Sequence, residues 1–308
     1  MIFTKRIMRF YHSSKQLFGA EKSSLAVLRK KTGYTIANCK KALQLNDNDL
    51  GQAEKWLKDQ AQIMGWKKAT KLEGRLTSQG LIGVAIKDSC AAMIELSCET
   101  DFVAKNKEFK SMVEIAANSC VDFASSQYKS NAPIIKICFS GEQLKELPTQ
   151  DGKKLSDLLA LMIGTVGENA TFKRALCFKA GHGVYLAGYA HPSGDEPNHV
   201  QLGKFGSILA FRQFAPKEVD LNTVGKELCQ HIVGMNPKKL GTIDEIPSEK
   251  SDYEDSLLHQ EYLLDESITV KDYLEESGVE VIDFRRFQCG ESMMESGDQP
   301  LELIETCQ

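Results

Sequence analysis

The sequence predicts an α+β protein, a small three-helix unit followed by a duplicated core of two small antiparallel sheets, each packed with helices. Three observations predict it. Short apolar runs of strand length, 81–87 and 91–98, flank a turn at Asp88-Ser89. Stripes of helical period follow them, as in Phe109, Met112, Val113, Ala116 and Cys120. The strand–strand–helix order then recurs in the second half of the chain.

The three-helix unit covers 23–66. Ser23 or Ser24 can cap a first helix carrying Leu25 and Leu28, which Thr32-Gly33 would end. Ile36, Cys39 and Leu43 make a second apolar stripe. Asn48 or Asp49 caps a third helix bearing Leu50, Ala53 and Leu57. A unit of about 40 residues is near the lower limit for folding unaided, so it is expected to bind or dock. Residues 67–80, with Lys67, Lys68, Lys71 and Arg75, read as a connecting arm.

The first half of the core, 81–181, holds the two strands, a helix that Asn106 can cap, a loop near Pro133, a stripe of Leu155, Leu158, Leu159 and Met162, and a strand at 175–180. The second half, 182–290, has strands at 184–190 and 206–212. A helix with Leu221, Val224, Leu228 and Ile232 stops before Pro237. The acidic stretch 238–266 reads as a surface loop, followed by a short helix at 269–277 and a last strand at 279–289. The tail, 291–308, has five acids and no base and is expected to be disordered.

At 308 residues, 42% hydrophobic and 26% charged, the chain has the composition of a globular protein of two or three domains. No apolar run approaches the roughly 20 residues of a spanning helix. The net charge of −4 hides a polarity along the chain. Residues 1–75 carry 16 Lys or Arg against 6 Asp or Glu, and residues 244–308 carry 19 acids against 4 bases. An acidic whole argues against nucleic acid as the main partner, because phosphate contacts need accumulated positive charge. The nine cysteines have no Cys-x-x-Cys pair and lie mostly in apolar patterns, which fits a reducing compartment. Residues 1–22 hold Lys5, Arg6, Arg9, Lys15 and Lys22 with one acid, Glu21, and can place Ile2, Phe3, Ile7, Met8 and Phe10 on one helical face. A basic, amphipathic and acid-poor start is expected to be a mitochondrial targeting segment.

No phosphate-binding loop occurs, and the histidines lack metal-ligand spacing, so the expectation is no catalytic site, no metal and no cofactor. Gly181-His182-Gly183 and Gly203-Lys204-Phe205-Gly206 read as turns. Gly167-Glu168-Asn169 with Lys173-Arg174 is either a helix end tied to the next strand or a basic contact for an acidic partner. His231, in a helical pattern, reads as a packing or contact residue. The feature with most promise is Thr100-Asp101-Phe102-Val103, at a strand-to-helix corner where side chains are free to meet a partner. Phe102 there is either a core aromatic closing the sheet end or a ring offered as a wedge.

Several strings in order resemble one family over 23–292. They are Leu28-Arg29-Lys30-Lys31-Thr32-Gly33, Cys39-Lys40-Lys41-Ala42-Leu43, Cys98-Glu99-Thr100-Asp101-Phe102-Val103, Gly167-Glu168-Asn169 and Phe284-Arg285-Arg286-Phe287 with Gly290-Glu291. The chain resembles the elongation factor Ts family in its mitochondrial form. The resemblance implies that the three-helix unit is ubiquitin-associated-like. It implies a guanine-nucleotide exchange factor for elongation factor Tu in the mitochondrial matrix, without nucleotide binding of its own. It also implies that Thr100, Asp101, Phe102, Val103, Arg29, Ile36 and His231 contact that partner, with Phe102 as wedge and Asp101 fixing its direction. Two departures stand out. Bacterial members carry a coiled-coil insertion used for dimerisation where this chain has only 240–266, so a one-to-one complex is expected. The bacterial Thr-Gly-Ala-Gly-Met-Met reads Thr32-Gly33-Tyr34-Thr35-Ile36-Ala37, so the methionine contacts pass to Ile36 and Ala37 as apolar contacts. Two rival readings remain at this stage, a module that binds ubiquitin or nascent chains and a holding chaperone that stabilises elongation factor Tu without exchange.

Overall fold

The computed structural model describes residues 24–127, 132–192, 199–245 and 254–291, with the backbone of 305 and 306. The targeting segment expected at 1–22 lies outside the described residues, as does the tail beyond 291 apart from that two-residue strand. The chain divides into two compact units, residues 1–61 and 62–308.

In the first unit, α1 (Ser24–Thr32), α2 (Ile36–Leu45) and the start of α3 (Leu50–Leu72) enclose a small core of Leu28, Cys39, Ala42, Leu43, Ala53 and Leu57. Gly33, at φ +71°, ends α1 by donating to the Arg29 carbonyl at 2.9 Å. Thr35 caps α2 and Asp49 caps α3, each accepting from a backbone N–H three residues on. Glu54 of α3 pairs with Lys31 of α1 at 2.5 Å and with Lys58 one turn along at 2.9 Å.

Helix α3 continues to Leu72, where the sequence suggested an arm from 67. Its lysines hide a stripe at i, i+4 and i+7, with Gly65 and Leu72 buried and Ala69 half-buried. Gly65 lets the helix touch α7 (Leu155–Val166), since a Cβ there would lie 2.6 Å from the Ala160 carbonyl oxygen. Lys68 donates to the Gly164 carbonyl at 3.1 Å, satisfying an open acceptor at the end of α7.

The second unit is a mixed α+β structure in four layers. Strands β1 (Gln79–Lys87), β2 (Cys90–Cys98), β3 (Ile134–Ser140), β4 (Ala170–Ala180), β6 (Val200–Gly203) and β11 (Glu305–Thr306) form an antiparallel sheet of order β11-β3-β4-β2-β1-β6. Strands β5 (Tyr185–His191), β7 (Phe205–Gln213) and β10 (Val279–Gln288) form a second sheet of order β10-β7-β5. Strand β2 is buried on both faces, and its residues alternate between two cores as the pleat requires. Ala92, Ile94 and Leu96 face α5 (Lys107–Ser126) and α7, while Ala91 and Met93 meet Ile208, Ala210 and Phe287 of the second sheet. The outer face of the second sheet packs on α8 (Leu221–Met235) and α9 (Val270–Ser277). Among the described residues no helix is long and apolar enough to cross a membrane.

Four expectations need correction. The loop at Pro133 is followed by β3 and the short helix α6 (Gly141–Glu146), which the sequence does not announce because Lys136, which breaks the apolar run, is buried against Asp283. Strand β6, from the second half of the sequence, pairs with β1 in the first sheet, so the two sheets do not separate at 181. The stretch 238–266 is not merely a surface loop. Ser256, Leu257, Gln260 and Tyr262 are buried there, and a ribbon of β8 (Glu261–Tyr262) and β9 (Asp265–Thr269) follows a 3-10 turn at Leu257–His259. The expected disorder of the tail also fails at Glu305–Thr306, whose backbone pairs with β3.

Candidate functional site

Strand β2 ends at Cys98, and after Glu99 the chain turns into α4 (Asp101–Ala104), a single helical turn. Thr100 is extended, at φ −126° and ψ 158°, and caps that turn by accepting from the Val103 N–H at 3.5 Å. Val103 and Ala104 point into the core. The helical period therefore turns the preceding residue outward, and Phe102 is 80% exposed. A turn later Asn106 caps α5, accepting from the Glu108 N–H at 2.8 Å. The corner is thus anchored on both sides of an aromatic ring left in solvent. Burying such a ring would be worth about 1.5–3 kcal/mol, so its exposure is a standing hydrophobic cost that contact with another surface would remove.

Asp101 is half-exposed beside the ring, and Lys105 one turn on donates to it at 2.8 Å. That hydrogen bond holds the Asp101 carboxyl below the usual carboxylate range, so the group stays an anion. Beneath the corner, the half-buried Glu168 carboxylate accepts from the Thr100 N–H at 3.1 Å and from its hydroxyl at 2.9 Å. Glu99 in turn accepts from the Asn169 N–H at 2.6 Å and from Arg75 at 3.4 Å. Gly167, at φ +86°, ends α7 in the left-handed conformation and delivers Glu168 and Asn169 to these positions. Burial, with the Glu168 carboxylate nearby, pushes the Cys98 thiol up to about 12, and it donates to the Thr100 carbonyl at 3.1 Å.

The structure brings Thr100, Asp101, Phe102 and Val103 together at this corner. Of the remaining expected contacts, Arg29 is exposed on α1 and Ile36 is half-exposed at the start of α2, both in the first unit. His231 is corrected, because it is completely buried in α8 and has no surface to offer a partner. The Leu263 N–H donates to its Nδ1 at 3.2 Å, which leaves Nε2 as the protonated nitrogen, 2.9 Å from the Gln260 side-chain oxygen. Burial lowers its pKa to about 4, so the ring is neutral near pH 7. Arg174 is likewise unavailable to an acidic partner, being buried on Glu95 at 3.0 Å and stacked 4.1 Å from the Phe287 ring. Sequence reasoning passed over Glu99 and Glu168 as site residues. The available signal was the Gly-Glu-Asn string, whose glutamate follows a helix-ending glycine.

Among the described residues no group of three His, Cys, Asp or Glu side chains is arranged to hold a metal ion. What the corner presents is an apolar ring and an anion held on a one-turn helix.

Known proteins supply the class. A family model described as the N-terminal part of mitochondrial elongation factor Ts matches residues 8–67, and one described as elongation factor TS matches 99–256. Mitochondrial elongation factor Ts of Aedes aegypti is 53% identical over 302 residues, covering 95% of this chain and 96% of that protein. The Drosophila melanogaster protein of the same name is 48% identical over 303 residues, 94% of either chain. That of Salmo salar is 42% identical over 281 residues, 91% of this chain and 90% of that one. The chain belongs to the elongation factor Ts family, in its mitochondrial form.

Proposed function

We propose that this chain is a guanine-nucleotide exchange factor that acts on elongation factor Tu in the mitochondrial matrix, as a one-to-one complex. The observation that carries the reading is Phe102, an exposed aromatic ring on a one-turn helix whose next two side chains, Val103 and Ala104, are buried in the core. A GTPase holds GDP through a phosphate loop, Mg²⁺ and switch segments. A factor that binds the nucleotide-free form better than the GDP-bound form weakens GDP by the same factor by which GDP weakens it. The ring supplies that difference by entering between elements of the partner that meet around Mg²⁺. Asp101 bonds to partner groups beside it, with Thr100 and Val103 as the wedge's base. Arg29 and Ile36 add contacts from the first unit. The factor contributes no nucleotide site, metal or catalytic group of its own.

The test is release of a fluorescent GDP analogue from mitochondrial elongation factor Tu. The wild-type chain accelerates release, and Phe102→Ala loses at least roughly tenfold of the acceleration, equivalent to about 1.4 kcal/mol. A wild type that leaves release unchanged sinks the reading.

A further inference from the structure

We infer that Glu168 is a positioning residue for the wedge, a carboxylate clamp that sets where Phe102 points. The inference rests on the exchange reading and deepens it.

The register of β2 against β4 shows how the clamp arises. Leu96 pairs with Phe172, Ser97 with Thr171 and Cys98 with Ala170, and there the ladder stops. Continued by two residues, the same register would put Glu99 opposite Asn169 and Thr100 opposite Glu168. The backbones separate there, since one turns into α4 and the other arrives from α7. Past the end of the ladder the N–H groups of Thr100 and Asn169 need acceptors. Each receives a carboxylate from the opposite strand. Glu168 takes the Thr100 N–H at 3.1 Å, and Glu99 takes the Asn169 N–H at 2.6 Å. Crossed side-chain bonds thus replace the ladder, holding the strands in register while freeing the backbone to turn.

The Glu168 arm reaches the wedge. Its oxygens also accept from the Thr100 hydroxyl, at 2.9 and 3.0 Å, while that hydroxyl oxygen accepts from Val103 N–H. A relay therefore runs from Glu168 through the Thr100 hydroxyl to the backbone of the turn that carries Phe102. The bonds to Glu168 are charge-assisted and so the strong members of the relay. Among the described residues nothing packs over the ring, so its direction is set by the cap of the turn together with the buried Val103 and Ala104.

The experiment measures stimulated release of the fluorescent GDP analogue at saturating exchange factor. Glu168→Ala lowers the maximal rate roughly tenfold, the size expected for losing a hydrogen bond to a charged group. Glu168→Gln, which keeps one acceptor oxygen, loses less. Thr100→Val, which lacks the hydroxyl that links Glu168 to the turn, lowers the rate as well. The decisive variant is Glu168→Ala placed in Phe102→Ala, where it causes no further loss, because there is no ring left to aim. A fall of the same factor in that background would mean general loosening of the fold and overturns the clamp. A Glu168→Ala chain with the wild-type rate, beside a wild type that accelerates release, overturns the clamp alone. A wild type that does not accelerate release removes the exchange reading and the clamp with it.

Discussion

His231 Nε2 lies 2.9 Å from Gln260 Oε1, and that bond ties α8 to a stretch of chain whose composition suggested a loop. Gln260 completes the tie by donating to the carbonyls of Glu254 at 2.7 Å and Met235 at 3.3 Å. Protonating His231 would turn Nδ1 from an acceptor into a donor facing the Leu263 N–H, and would charge a buried ring. Stability should therefore depend on pH with a defined sign. The folded pKa, about 4, lies below the ordinary histidine value near 6.5, so the unfolded chain binds more protons between the two. Stability is fully present above about pH 6.5 and falls as pH drops toward 4, with a limiting slope near 1.4 kcal/mol per unit. Urea titrations from pH 4.5 to 7 measure the slope, and His231→Gln should flatten it. An equal slope in both proteins would refute the assignment.

Phe102→Ala should separate folding from function. The ring is exposed and its neighbours Val103 and Ala104 carry the packing, so thermal or urea unfolding should shift by less than about 0.5 kcal/mol. The same variant is the one expected to lose exchange. A large loss of stability would show that the ring packs on the chain after all and would leave no wedge.

Asp101 should likewise tolerate loss of its intramolecular partner. Lys105 is three-quarters exposed, and its bond to Asp101 spans one turn at the surface, where salt screens such pairs. Lys105→Ala should leave the unfolding midpoint unchanged while raising the Asp101 pKa toward the ordinary value, read by NMR titration of the carboxyl carbon. An Asp101 pKa that does not move would assign its lowering to another cause.

What could be read in the sequence was local, and what could not was set by residues far along the chain. The strand–corner–helix order around Thr100 is written in consecutive residues, and the structure keeps it. The exposure of Phe102 was undecidable from pattern, because it depends on α4 starting at Asp101 so that Val103 and Ala104 turn inward. Strand β3 escaped notice because Lys136 has its counter-charge at Asp283, well over a hundred residues later. His231 passed for a contact residue because its partner, Gln260, sits in a run of acids. Glu168 is meaningful only beside Thr100, and nothing short of the β2–β4 register places the two together.

The pair Glu95–Arg174 lies between the sheets, with both side chains nearly inaccessible. Glu95 also accepts from the Gly290 N–H at 2.8 Å, so it fastens the end of β10 to the first sheet. Removing one partner of a buried pair leaves a charge without its counter-ion. Arg174→Met should therefore lower stability by about 3–5 kcal/mol. Adding Glu95→Gln should recover part of that loss, since an amide needs no counter-charge. Urea unfolding of the two single variants and the double gives the coupling, and additive losses would show that charge is not the issue.

Two glycines of α3 should respond to alanine with opposite signs. Gly51 lies in the first turn of α3 and Gly65 in its interior, and in a helix alanine is preferred to glycine by up to about 1 kcal/mol. At Gly51 an added Cβ meets nothing closer than the Asp49 carboxylate at 3.4 Å, an ordinary contact. Gly51→Ala should stabilise by roughly 0.5–1 kcal/mol. At Gly65 the added carbon would lie 2.6 Å from the Ala160 carbonyl oxygen and 2.9 Å from its carbon, both backbone atoms of α7 that cannot swing aside. Overpacking of that kind costs about 1–3 kcal/mol, which exceeds the propensity gain, so Gly65→Ala should destabilise. Urea midpoints of the two variants decide the matter. A stabilising Gly65→Ala would mean that this part of α3 stands clear of α7, as the connecting arm expected nearby would have done.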